Sequence, residues 1–314
     1  MAFNWPTFRT RALTAIVFVA VMLTGLLWNQ WSFLVLFSVI HFGCWWEYFR
    51  LLEKIHRVTY DIYVKMGWML LGYGLMIWFC GDIYKIAGYG VRQNVFLPVS
   101  IAGFILLIAG IFMSSKIKLK SFGAAALGIP YISLSWGLLL DLFSNTLDVH
   151  FHDTMFVLTG AFFPIIIIAS IWINDTMAYI VGSFIGRRPL SSISPKKTWE
   201  GTIGGILLSV GVVAWVLPLF FFGDQYKTYI SSAASLLAPI ALIAAITGTA
   251  GDLLESKLKR MAGVKDSGNI MPGHGGFLDR FDSLLVATTF VWMYVYFFFV
   301  NNQEIIRYSA PKQP

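Results

Sequence analysis

Asp252, Glu255, Lys257, Lys259, Arg260, Lys265, Asp266, His274, Asp279, Arg280 and Asp282 crowd into one stretch, GDLLESKLKRMAGVKDSGNIMPGHGGFLDRFDS, in a chain of which only 12% is charged. Carboxylates at this density suit a hard divalent cation, and the lysines and arginines suit phosphate. Pro272, Gly273, His274, Gly275 and Gly276 form a turn whose backbone N–H groups can approach an anion closely. A helix continuing through Gly251 places Asp252, Glu255, Ser256 and Lys259 on one stripe. Met261 to Gly276 is broken by glycine and proline and reads as a loop, after which Asp279 and Asp282 return at helical spacing. Two helix ends joined in this way bring Asp252 and Asp279 to one cation, with Asp282 and Glu255 as further candidate ligands. Charges that merely neutralise one another would not require acidic pairs, glycines and His274 to be interlocked.

A second stretch runs from Asn174 and Asp175 through Gly182, Gly186, Arg187 and Arg188 to Ser194-Pro195-Lys196-Lys197-Thr198-Trp199-Glu200-Gly201. Thr198 or a neighbour can cap the following helix, whose positive end beside Lys196 and Lys197 makes an anion site. No G-x-x-x-x-G-K-[ST] run is present, so a P-loop is excluded as a motif. Glu47 either pairs with Arg50, three residues on, or reaches the site, and the pair is the expectation; His41, His56, His150 and His152 are read as interface or loop residues. Cys44 and Cys80 lack ligand spacing and read as packing residues.

The elements that must position these groups are membrane spans. The chain is 57% hydrophobic and 17% aromatic with a mean hydropathy of +0.71, outside the range of soluble domains. Nine apolar spans are expected, at 12–28, 32–53, 66–80, 95–113, 122–143, 155–186, 201–222, 230–256 and 278–300. The sixth is too long for one simple crossing, and its Asn174-Asp175 pair implies a helix that passes or breaks at the bilayer surface. The fold class is therefore all-α and polytopic, divided into residues 1–121 and a motif-bearing part, residues 122–314. Placing the N-terminus in the cytoplasm collects most of the 23 Lys and Arg residues inside, including those of both polar stretches. The net charge of +7 accordingly reflects topology; no basic run with interleaved aromatics points to nucleic acid.

The polar residues are similar to a known signature. Ser256-Lys257-Leu258-Lys259-Arg260, Lys265-Asp266 and Pro272-Gly-His274-Gly275-Gly276-Phe-Leu-Asp279-Arg280-Phe-Asp282 resemble the phosphatidate cytidylyltransferases, and Asn174-Asp175-Thr176 with Ser194-Pro-Lys196-Lys197-Thr-x-Glu200-Gly resembles their upstream motif. Met177, where the family commonly has a small residue, is a minor departure. The resemblance implies CTP plus phosphatidate giving CDP-diacylglycerol plus pyrophosphate, with one or two Mg²⁺ ions, in the inner membrane of a bacterium with the active site facing the cytoplasm. It implies Asp252 and Asp279 as metal-binding acids. Asp252, Asp279, Lys196, Lys197, Lys259 and Arg260 become the catalytic candidates, while Asn174, Asp175, Ser194, Lys257, Lys265, Asp266, His274, Gly275, Gly276 and Arg280 are candidates for binding CTP or lipid phosphate. CTP, phosphatidate, membrane lipid and a second copy of the chain are the implied partners. Rival readings are a CTP-dependent lipid kinase, which would need a base for a hydroxyl, and a transporter, which would place charges at mid-membrane.

Odd span number and positive-inside bias place residue 314 outside. A reporter active only in the cytoplasm, fused there, is expected to be silent; a cytoplasmic signal overturns the topology.

Overall fold

The computed structural model describes residues 5–113, 119–145, 147–151, 154–158, 160–222, 226–269 and 275–300. Each expected span falls on helix except the first residues of the sixth. α1 (Trp5–Leu27), α2 (Gln30–His56), α3 (Ile62–Trp78) and α4 (Val91–Met113) come first. α5 (Leu119–Ala126) passes through a wide π-helical turn, Ile129–Leu134, into α6 (Ser135–Ser144). α7 (Phe162–Ile185) precedes α8 (Trp199–Gly211), which runs through a second such turn into α9 (Leu217–Phe222). α10 (Tyr226–Met261) and α11 (Leu278–Val295) complete the chain. Among the described residues seven helices are long and apolar enough to cross a membrane, and Leu13–Leu27 and Ile62–Trp78 are shorter apolar helices. The protein is polytopic and α-helical. Two small antiparallel hairpins interrupt it: β1 (Lys85–Ile86) with β2 (Tyr89–Gly90), and β3 (Leu147–Phe151) with β4 (Thr154–Leu158). The second hairpin resolves the overlong sixth span, because its first residues belong to β4 and α7 alone has crossing length.

α2 lies at the centre. Phe33, Phe37 and Trp45 are wholly buried, with the Phe33 ring stacked at 4.0 Å on Phe143 and Phe37 at 5.0 Å from Trp136 of α6. His41 is not an interface or loop residue. It is buried among these rings, its Nε2 lying 3.0 Å from Ser133 Oγ, to which Trp45 Nε1 also donates at 2.8 Å. A polar atom at such depth needs a partner; Ser133 Oγ serves both rings, and His41 Nδ1 is left without one. Cys44 and Cys80 are buried free thiols.

Small residues set the seams around the polar stretches, as expected where helices associate through close backbone packing. A Cβ on Gly205 of α8 would lie 2.7 Å from both Asn174 O and Ala178 Cβ of α7, and one on Gly201 would lie 2.6 Å from Ala178 O. A Cβ on Gly251 would sit 2.5 Å from Asp282 O, so α10 and α11 meet backbone to backbone beside Asp252 and Asp282. Gly205→Leu is expected to cost about 1–3 kcal/mol by overpacking. Thermal unfolding in detergent measures it against Gly211→Ala, a position where an added Cβ meets nothing within 4 Å; equal stability of the two variants would refute the seam.

Candidate active site

The first turn of α11 is held by two carboxylates. Asp279 Oδ2 accepts from Ser267 N at 2.8 Å, Ser267 Oγ at 2.9 Å and Gly276 N at 2.8 Å, drawing both ends of the loop to the helix start. Glu47, from α2, accepts from Phe277 N at 2.9 Å, Leu278 N at 2.9 Å and Ser267 Oγ at 2.7 Å. Unpaired N–H groups and the positive end of a helix favour an anion there, and Glu47 supplies it from a wholly buried position. The expected Glu47–Arg50 pair is thereby corrected: Glu47 is turned inward to the loop, whereas Arg50 is exposed. Gly268 and Gly276 owe their lack of a side chain to the same carboxylate, since a Cβ on either would collide with it. Gly275, at φ +82°, is in the left-handed region that glycine adopts without strain, and a Cβ there would lie 2.7 Å from Asp279 Oδ2.

Two lysines link this clamp to the helices. Lys259 Nζ lies between Glu255, four residues earlier on α10, and Asp279, whose Oδ1 it meets at 2.7 Å. Glu255 is wholly buried, and its Oε1 has no hydrogen-bond partner. Lys197 Nζ lies 2.8 Å from Asp252 Oδ2, joining the second polar stretch to the first. Thr198 caps α8 as expected, its Oγ1 accepting from Gly201 N at 3.1 Å. Glu200, one residue into the helix after Trp199, accepts from Arg187 N at 3.0 Å and Arg188 N at 3.2 Å and so closes the loop before it. Asn174 is buried and donates from Nδ2 to Thr249 Oγ1 at 3.2 Å, fixing α7 to α10 one turn from Asp252.

Two cavities adjoin these groups. One, of about 360 Å³, is lined by Asp175, Asp252, Asp279, Arg280 and Asp282, together with the apolar Phe18, Met22 and Phe281. The other, of about 370 Å³, is lined by Asn174, Asp175, Lys196, Lys197, Thr198 and Asp252. Asp175 and Asp252 belong to both, so a molecule filling one cavity meets a molecule filling the other across these two carboxylates. Each cavity has the volume of a small-molecule site, ~300–1,000 Å³. Gly275 and Gly276 stand behind Asp279. Lys257, Arg260, Lys265 and Asp266 are exposed and do not line either cavity. Ser194 acts through its backbone, its carbonyl accepting from Lys197 N at 3.1 Å, and His274 lies outside the described residues.

The donor chemistry fits a hard cation held lightly by protein. Among the described residues no group of three or more His, Cys, Asp or Glu side chains could hold a metal unaided. Mg²⁺ ordinarily takes only one or two carboxylates and completes its shell with water and substrate phosphate. Asp252 and Asp282 line one cavity with Asp279; Lys197 faces Asp252, and both oxygens of Asp279 are engaged by Lys259, Ser267 and Gly276, partners that a cation there would displace.

The model of the cytidylyltransferase family matches residues 9–298. The chain belongs to the cytidylyltransferase family. Among family relatives, a phosphatidate cytidylyltransferase of Haemophilus influenzae is 32% identical over 309 residues, 92% of this chain and 99% of that protein. One from Staphylococcus saprophyticus is 31% identical over 278 residues, 88% of this chain and 95% of its own. The similarity to that of Synechocystis is higher, 44%, but confined to 140 residues, 44% of either chain.

Ser267 was missing from the sequence-derived site, and Glu47 stood there only as the alternative to its pair with Arg50. The available signal was a carboxylate within an apolar span, a costly placement that calls for a partner. Glu47→Gln is expected to lose about 2–4 kcal/mol, since an amide donor would face the N–H and hydroxyl groups of the loop. Trypsin should then cut faster after the exposed Lys265; unchanged cleavage and unchanged thermal unfolding would refute the clamp.

Proposed function

We propose that this protein is a phosphatidate cytidylyltransferase, converting CTP and phosphatidate into CDP-diacylglycerol and pyrophosphate. The observation carrying this reading is the pair of cavities that share Asp175 and Asp252: one is rich in lysine, and the other combines carboxylates and Arg280 with an apolar wall. The first suits a nucleotide triphosphate, and the second suits a phosphate joined to a lipid. Residues 122–314 supply the reacting groups, and residues 1–121 supply Glu47 and part of the apolar wall.

The chemistry is one of bringing like charges together. A phosphate oxygen of phosphatidate is already a nucleophile, so in-line attack on the α-phosphorus of CTP needs no covalent enzyme intermediate and no strong base. The new P–O bond forms as the α–β bridge breaks, and pyrophosphate leaves with the bond's electron pair. Lys196 and Lys197 neutralise the triphosphate and Arg280 orients the lipid phosphate, while Lys259 holds Asp279 in place, so that charge developing in the transition state meets preorganised cations. Arg260, Lys257 and Lys265 add positive potential at the rim, and Asn174, Ser194, Asp266 and His274 position loops and nucleotide. We place Mg²⁺ on Asp252 and Asp279, with Asp282 and Glu255 beside them; there it would stabilise charge on the phosphoryl oxygens. The clustering of Lys and Arg in loops on one side supports an inner-membrane protein with this site facing the cytoplasm, where CTP is found. CTP, phosphatidate and surrounding lipid are the partners this reading requires. A second copy of the chain is a further partner that this reading allows.

Purified protein given Mg²⁺, phosphatidate and CTP labelled at the α-phosphate is expected to move label into lipid and release pyrophosphate. Transfer of the γ-phosphate alone would indicate a lipid kinase, and no CTP consumption would favour a transporter; either outcome overturns the reading. Asp252→Asn is expected to lower kcat by at least about 100-fold, the scale of removing one preorganised charge-stabilising group, with unfolding temperature little changed.

A further inference from the structure

The carboxylate-lined cavity does not end at its polar groups. Phe18, Met22 and Phe281 line it and also line a second space of about 350 Å³ that is almost wholly apolar. That space shares Val21, Leu36 and Val39 with a third, open groove of about 710 Å³ between α1 and α2, which extends to Trp28. Shared walls set the three side by side in one row. Phe281 stands at the change from polar to apolar, its ring 6.1 Å from that of Phe18 and held edge-on by Trp136 at 5.6 Å.

Length and ending define the path further. From Phe18 to Trp28 it follows α1 for roughly 15 Å at ~1.5 Å per residue, about half of the ~30 Å hydrocarbon thickness. At its far end Trp28 is 74% exposed, and Asn29 closes the α1–α2 turn by accepting from Trp31 N at 2.8 Å and Ser32 N at 2.9 Å. Ser32 Oγ also contacts Gly25 O at 3.2 Å. An exposed tryptophan beside a self-satisfied polar turn is what a membrane interface favours. The groove therefore runs through hydrocarbon from a phosphate-sized polar chamber toward the opposite surface.

We infer that the groove between α1 and α2 is an acyl-chain subsite, which takes one fatty chain of the lipid substrate while its phosphate occupies the carboxylate-lined cavity. This rests on the cytidylyltransferase reading above and assigns to the N-terminal helices the selection of chain length. The occupant must have a charged head and an unbranched apolar tail joined end to end, because the two compartments share Phe18, Met22 and Phe281. A helix from another protein offers no such head, and bulk lipid has no reason to be in register with the polar chamber.

Val21 and Val39 face the groove and are 52% and 55% exposed, so enlarging them fills the path without disturbing the core. Val21→Phe and Val39→Phe, alone and together, are compared with the unaltered protein on phosphatidates with eight-carbon and eighteen-carbon chains, in mixed micelles with CTP and Mg²⁺. The expected result is that the ratio of kcat/KM for the long over the short substrate falls roughly tenfold in the double variant, the consequence of excluding about two methylenes at ~0.8 kcal/mol each. In parallel, a phosphatidate carrying a photoreactive diazirine at one chain end is expected to label the α1–α2 peptide, and the double variant to lose that label. Equal loss on both substrates, or no change in the ratio with label spread over other helices, overturns the subsite. Loss of a dimer on gel filtration with an unchanged ratio assigns the groove to a second copy and also overturns it. Unaltered protein that transfers no cytidylyl group to either phosphatidate instead overturns the functional reading itself, and is told apart by that control alone.

Discussion

The arrangement depends on a negative charge placed where the chain has almost no other way to fasten itself. Glu47 comes from a helix of the N-terminal part, yet all its described partners belong to the loop and first turn of α11: Ser267, Phe277 and Leu278. It ties together segments more than 200 residues apart and fixes the entry to α11, from which Asp279, Arg280 and Asp282 project. A helix start so deeply set, without this anion, would leave buried N–H groups unpaired. Ser267 bonds to both Glu47 and Asp279, so the clamp and the chemistry-bearing carboxylate are set by one hydroxyl.

Charge balance explains the rest of the polar architecture. Buried carboxylates are unfavourable singly and tolerable when each faces a cation or several donors. Lys259 serves Glu255 and Asp279 together, and Lys197 serves Asp252 from a different loop. These pairs offset part of the negative charge and leave Asp175 and Asp252 on two cavities at once. Rigid seams at Gly251 and Gly205 make that pairing geometric, because neighbouring helices cannot separate enough for the charges to slide past one another.

Much of this was legible from residue order. Hydropathy located the long apolar helices, since a span of apolar residues has few other uses, and the glycine and proline content of 261–276 marked the loop between α10 and α11. The cap at Thr198 could be read from its place before an apolar run. Glu47 was misread because Arg50, three residues on, offers a plausible local partner, and no local rule reveals donors brought near by the fold of the whole chain. His41 was misread for the same reason, its partner Ser133 lying on the turn between α5 and α6. The sixth span was read as too long because β4 is apolar enough to continue the helix pattern, and a run of four apolar residues, Met155 to Leu158, is too short to separate strand from helix.

The loop between α7 and α8 is stitched at nearly every station: Leu190 N donates to Lys197 O at 2.7 Å, Trp199 N to Arg188 O at 3.0 Å, and Glu200 holds the amides of Arg187 and Arg188. A segment pinned in this way is a poor lid. Adjustment of this loop to a bound molecule then comes from rotation of Lys196 and Lys197 about their own stems, movements of picoseconds to nanoseconds, and not from the slower closing of its backbone. Turnover in such an enzyme would be paced by how fast its greasy substrate and product exchange with the bilayer.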